Sequence, residues 1–158
     1  NVDNLASALT ISSSISEIKR KVVEDFAKKI LEELNQTGYE LTKVEIVGSD
    51  IINIRFEYKK HFIYFGYNED SSTYVSIKDE SSSKGGSKIK EKLEFNTRKP
   101  DKWNPYGYKI CFDTNWNKDN SFYEKMLSFD QECVEKFKNW IQTLKGAIDK
   151  IQDNALTK

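Results

Sequence analysis

The sequence predicts an α+β fold: an antiparallel sheet of about five strands in a meander, with an N-terminal and a long C-terminal helix packed on one face. Three observations carry that prediction. Apolar residues recur at steps of three and four at both ends of the chain, the period of an amphipathic helix. Between those ends they alternate at steps of two, the period of a strand with one buried face. Short polar turns join the alternating runs, too short for the crossovers that parallel strands need.

The first helix is expected over residues 12–38. Ser14 and Glu17 match the S-x-x-E capping box, in which the serine oxygen takes an orphan backbone N–H and the glutamate reaches back to the cap. Ile15, Ile18, Val22, Phe26, Ile30 and Leu34 then form one stripe, widened by Val23 and Leu31, and Gly38 ends it. Residues 1–11 are an N-terminal extension, although Val2, Leu5, Ala6 and Leu9 already keep helical spacing. The chain begins at Asn1 and its single methionine is Met126, so a processed chain or a piece of a longer protein with an upstream domain is expected.

A four-stranded meander follows over 40–78. Its strands are 40–47, 51–58, 61–67 and 73–78, separated by Gly48-Ser49-Asp50, Lys59-Lys60 and the polar stretch 68–72. Residues 61–67, His-Phe-Ile-Tyr-Phe-Gly-Tyr, are apolar or aromatic on both faces, the signature of a central strand. Residues 79–106 form a loop-rich basic insert that includes Ser81 to Gly86 and a short helix over 87–95. Residues 107–113 make a fifth strand, with Tyr108, Ile110 and Phe112 on one face. Residues 119–154 are helical, capped by Asp119-Asn120-Ser121 and broken at Ser128-Phe129-Asp130. The 158 residues are one domain, and 9 Phe, 8 Tyr and 3 Trp supply its core.

Composition narrows the function classes. Twenty-five basic residues balance 25 acidic ones, which excludes a globally basic nucleic-acid binder. One histidine and two cysteines leave little for metal or nucleophile chemistry, and no cofactor is called for. No run of 18 apolar residues exists, so no membrane span or membrane partner is expected. No basic-then-apolar leader opens the chain, which predicts a cytoplasmic location and reduced, buried thiols at Cys111 and Cys133.

Four local patterns invite a chemical reading. Glu57-Tyr58-Lys59 is the acidic-x-Lys pair with which many nucleases hold a metal ion and polarise water. Its upstream acid, Asp50, sits seven residues away on the same extended run, about 23 Å distant and too far to share a metal. A cross-strand ion pair is the expected role. His61 has no nucleophile or acid context in sequence and reads as a histidine at the end of a strand. Lys84-Gly85-Gly86-Ser87-Lys88 has the composition of a phosphate loop without its spacing. Asp101 with Asp113 is the carboxylate pair an enzyme reading would need.

The charge asymmetry lies in residues 84–102, where seven basic side chains face three acidic ones. Lys84, Lys88, Lys90, Lys92, Arg98 and Lys99 could neutralise phosphates, while Trp103 and Tyr106, with Tyr108 after them, could stack on bases. The alternative is a solvated loop whose aromatics pack back on the sheet. The C-terminal stripe from Phe122 to Ile151 serves equally as a core cover or as a partner-binding helix.

Taken together, the helix 16–34, the strand 62–67 with its Phe-Gly-Tyr, the loop Trp103-Asn-Pro-Tyr-Gly-Tyr108 and the helix start Ser121-Phe-Tyr-Glu-Lys-Met126 resemble the C-terminal region of bacterial proteins in the PD-(D/E)XK nuclease-like superfamily. The resemblance implies a nucleic-acid-related bacterial protein, with a role in defence as one form of it. It transfers no catalytic residue, because the family's Asp and Glu-x-Lys belong upstream of this region. The expected function is a non-catalytic recognition, sensing or accessory domain that contacts nucleic acid through 84–108. The alternative is a protein–protein interaction module or small homo-oligomer without a nucleic-acid role. Salt dependence separates the two.

Overall fold

The computed structural model describes residues 2–48, 52–67, 73–79, 109–110 and 120–156. In chain order they form α1 (Val2–Gln36), β1 (Lys43–Val47), β2 (Asn53–Tyr58), β3 (His61–Tyr67), β4 (Thr73–Asp79), β5 (Lys109–Ile110), α2 (Asn120–Leu127) and α3 (Gln131–Leu156). The fold class is α+β with an antiparallel sheet. Four full strands run side by side in chain order, and β5 adds a ladder of only two residues against β4. The expected five-strand meander is thus four strands and a short fifth pairing among the described residues.

Helix α1 corrects the predicted start. It runs unbroken for 35 residues from Val2, so residues 2–11 are helix and not an extension. Ser14 caps nothing: its Oγ donates back to the Thr10 carbonyl at 3.0 Å, and Thr10 Oγ1 does the same to Ala6. A serine preceded by Leu and Ala at helical spacing turns its hydroxyl onto the preceding turn instead of ending the helix. The other end behaves as predicted. Gly38 stands at φ +85°, its N–H bonds the Asn35 carbonyl at 3.0 Å, and the Tyr39 N–H bonds the Leu34 carbonyl at 3.2 Å. This is the Schellman arrangement, whose left-handed position glycine occupies without steric cost.

The same motif divides the C-terminal helices at the predicted break. The Asp130 N–H reaches the Lys125 carbonyl at 2.8 Å and the Phe129 N–H reaches Met126 at 3.1 Å. Here the left-handed residue is Phe129, at φ 54°. Its ring compensates by packing edge-on to Phe26, with centroids 5.7 Å apart. Asp130 then caps α3, its carboxylate accepting from the Cys133 N–H at 3.1 Å.

Strand register explains the core. Ile54 pairs with Phe65, which pairs with Val75; Phe56 pairs with Ile63, which pairs with Ile77. Residues two apart share a face, so these six occupy one side of the sheet, and all are fully buried. Phe137 of α3 stacks on Phe65 at 4.6 Å, and Phe26 of α1 meets the same Phe137 ring edge-on at 5.1 Å. Phe26, Phe65 and Phe137 therefore tie both long helices to the central strand.

Candidate functional site

The N-terminal half of α1 is the strongest surface feature. The helix is about 50 Å long at a rise of about 1.5 Å per residue. Val23, Phe26, Ala27, Ile30 and Leu34 bury its second half in the core. Residues 4–18 are all exposed. Among them Leu5, Leu9, Ile11 and Ile18 are 61–63 % exposed and Ile15 is 47 % exposed. Leu127, at the end of α2, is the other exposed large apolar residue among those described. No charged residue occurs from Asn4 to Ser16. Single exposed leucines need no explanation, but five large apolar side chains exposed along one half of a helix make a candidate site.

Ala8, Ile11, Ile15, Ile18 and Val22 follow at alternating steps of three and four, the spacing of a coiled-coil seam. The seam leads to a surface groove of about 380 Å³ whose walls include Val22, Phe26, Met126 and Leu127. Asp25, Lys28, Lys29 and Glu32 complete its lining with two charges of each sign. A second groove, about 330 Å³, lies between α1 and β1 and is lined by Arg20, Glu24 and Glu45 among others.

A polar cluster joins the β2–β3 turn to α3. Asp149 Oδ1 accepts from Tyr58 Oη at 2.6 Å and from Lys59 Nζ at 2.8 Å, and its Oδ2 accepts from Lys145 at 3.0 Å. Partial burial opposes ionisation of Asp149. The bonds from Lys59, Tyr58 and Lys145 outweigh that and bring its pKa down to about 2. The same carboxylate raises Lys59 and Lys145 above the ordinary lysine value. Every strong contact here is made within the chain, which makes the cluster a fastening between hairpin and helix.

The sheet face opposite the core carries cations on aromatic rings. Arg55 lies over Phe62 at 4.3 Å and Lys78 over Tyr64 at 3.7 Å. Arg55 also pairs with Glu45 on β1, and Lys43 pairs with the same carboxylate. Arg55 Nε and Ser76 Oγ are buried without hydrogen-bond partners.

The predicted motifs resolve as follows. Glu57 stands opposite Lys43 in the β1–β2 register, but Lys43 turns to Glu45, and Lys59 pairs with Asp149 across 90 residues of sequence. The expected cross-strand pair forms instead between Arg55 and Glu45. His61 opens β3, with Nδ1 2.9 Å from the Lys59 carbonyl, a contact in which the ring N–H donates. Among the described residues no three His, Cys, Asp or Glu side chains converge on a metal position. Cys133 is a buried free thiol, its pKa pushed up to about 11 by burial and by the neighbouring Asp130 carboxylate. No helix among the described residues is long and apolar enough to cross a membrane. Lys84, Lys88, Lys90, Lys92, Arg98, Lys99, Trp103, Tyr106, Asp50, Asp101, Cys111 and Asp113 lie outside the described residues.

Sequence reading missed the exposed seam as a candidate site. Its spacing was visible from Val2 onward, but its exposure follows from how short the sheet is beside a helix of 35 residues. Comparison of the chain with known protein families, with curated proteins and with solved structures finds no match in any of the three.

Proposed function

We propose that this chain is a non-catalytic assembly module that pairs with a second copy of itself through the N-terminal half of α1. In this reading both long helices cover one face of the sheet and form a rigid body from which the docking segment projects. The observation that carries it is the run of Leu5, Leu9, Ile11, Ile15 and Ile18, all exposed on a segment whose one charged residue is Glu17.

Two physical arguments favour a second copy as the occupant. Residues 4–18 are rich in serine and exposed, so a partner that covers their apolar side chains adds packing this stretch of α1 does not get from the core. The charge-free stretch from Asn4 to Ser16 also offers nothing to a charged partner and nothing repulsive to its own twin. Five exposed apolar side chains at about 100 Å² each give about 500 Å² per copy and about 1,000 Å² per pair, the size of a weak or transient interface.

The second reading keeps the sequence-based expectation of nucleic-acid contact through 84–108, favoured by the local excess of basic residues there. One experiment separates the two. The molar mass of the full chain is measured by light scattering at low and high salt, beside its binding to labelled single- and double-stranded DNA and RNA. A mass near twice 18.4 kDa that survives high salt, and falls to one copy in Ile11→Asp with Ile15→Asp, supports assembly. A single-copy mass at every concentration, with salt-sensitive nucleic-acid binding, overturns it in favour of recognition.

A further inference from the structure

The apolar side chains along the exposed half of α1 fall on two lines. Resting on the assembly reading above, we infer that copies pair through one of these lines only, Ile11, Ile15, Ile18 and Val22, with the two α1 helices antiparallel and Ile15 of each copy facing Ile18 of the other.

The choice of face comes from the helix period. At about 100° per residue, these four side chains lie within about 60° of one another around the axis. Leu5 and Leu9 stand about 110° and about 150° from the middle of that line. They continue instead the line of Val23, Ala27, Ile30 and Leu34, the side that α1 turns to its own core. A partner helix seated on the isoleucine line therefore leaves Leu9 uncovered. The contact is narrow, so its specificity rests on matched layers more than on area.

The layers fix the register. Past Val22 the same three-four steps reach Asp25, Lys29 and Glu32, three exposed side chains that line the groove together with Val22. In an antiparallel pair each first-position residue of the heptad faces a fourth-position residue of the partner. Setting Ile15 against Ile18 puts Ile11 against Val22, and the two-fold axis repeats both contacts. Every one of these layers is aliphatic. A slide of one heptad either way sets Val22 against Asn4 or Ile15 against Asp25.

Charge decides the orientation. In the antiparallel register Asp25 faces Ala8 and Lys29 faces Asn4, so the uncharged start of one α1 runs along the groove of the other copy. Both charges keep a partner within their own copy. Lys21 donates to Asp25 at 2.7 Å, and Lys29 lies over the Phe129 ring at 5.1 Å. A parallel pair in register sets Asp25 against Asp25, Lys29 against Lys29 and Glu32 against Glu32, three like-charge contacts on one line.

The test is disulfide trapping in the full chain. An Ile11→Cys chain and a Val22→Cys chain are mixed in equal amounts and oxidised. Peptide mapping then identifies the joined positions and separates any link through Cys111 or Cys133. Links from position 11 to position 22 are expected to exceed 11-to-11 and 22-to-22 links at least about fivefold. Analytical ultracentrifugation tests the face. Ile15→Asp is expected to raise the self-dissociation constant at least about tenfold and Leu9→Asp to leave it within about twofold, with circular dichroism confirming that both remain folded. An excess of like-position links, or no link in a chain that does pair, overturns the antiparallel register. A Leu9→Asp effect as large as that of Ile15→Asp overturns the choice of face. Each of these leaves self-assembly intact, whereas a chain that is a single copy at every concentration overturns both readings.

Discussion

The ring of Tyr74 lies across Gly66, its neighbour on the adjacent strand. A Cβ built on Gly66 falls 2.6 Å from Tyr74 Cζ and 2.7 Å from Tyr64 Cε1. Two tyrosines thus occupy the space a side chain would take, and the missing packing of a strand glycine is made good by its aromatic neighbours. Gly66→Ala is expected to destabilise the chain by about 1–3 kcal/mol, because Tyr74 is 7 % exposed and has little room to withdraw. Urea denaturation measures this; a midpoint equal to that of the unaltered chain shows that the ring moves aside freely.

The turn Lys59-Lys60 has positive φ at both residues, 48° and 65°. That is the geometry of a tight hairpin, normally given to Asn-Gly. Lys59 is held there by Asp149, whereas Lys60 is exposed at its side chain. Lys60→Gly is therefore expected to stabilise the fold by up to about 1 kcal/mol through relief of backbone strain. A lower thermal midpoint in the variant counts against that strain.

Asp149 sets an acid limit on stability. Its folded pKa of about 2 lies below the ordinary carboxylate value of 3.8, so its contribution is complete above about pH 4 and is lost as pH falls towards 2. Asp149→Asn is expected to cost about 1–2 kcal/mol at neutral pH, and the gap to the unaltered chain should close near pH 2. Denaturant titrations at the two pH values test this; a gap that persists in acid shows that packing, not ionisation, is what the substitution removed. At the alkaline end, the raised Lys59 and Lys145 contributions fade as pH climbs past the ordinary lysine range.

Cys133 is expected to resist alkylation. A pKa raised from 9.0 to about 11 lowers the thiolate fraction at pH 8 about a hundredfold, before burial adds its own barrier. Iodoacetamide labelling followed by peptide mapping, with and without urea, checks this. Equal rates in both conditions contradict a buried thiol.

Local rules carried most of the fold. The hairpin at Lys59-Lys60 was legible because alternation stops and restarts there. The helix break at Ser128 to Asp130 was legible because polar residues flank Phe129, and Gly38 closed α1 where a left-handed residue was required. The start of α1 was misread because serine serves both as a cap and as a back-bonded interior residue, and only the hydroxyl's direction tells them apart. The Tyr58–Lys59–Asp149 fastening was invisible for a different reason. Its partners lie about 90 positions apart and only the packing of α3 on the sheet brings them together. The exposed apolar run of α1 fell between these cases, since periodicity reveals an apolar stripe but not what covers it.

Arg20 guards one border of the sheet. Its guanidinium donates to the carbonyls of Ile46 and Gly48, at 2.7 and 2.6 Å, where β1 ends. Among the described strands β1 is an outermost one, and the backbone acceptors along such a border invite foreign strands to extend the sheet. Two of those acceptors are already occupied by a side chain from α1. The helix that carries the exposed apolar run thus also bolts the border of the sheet, withdrawing two of the acceptors that open-ended stacking of strands would use.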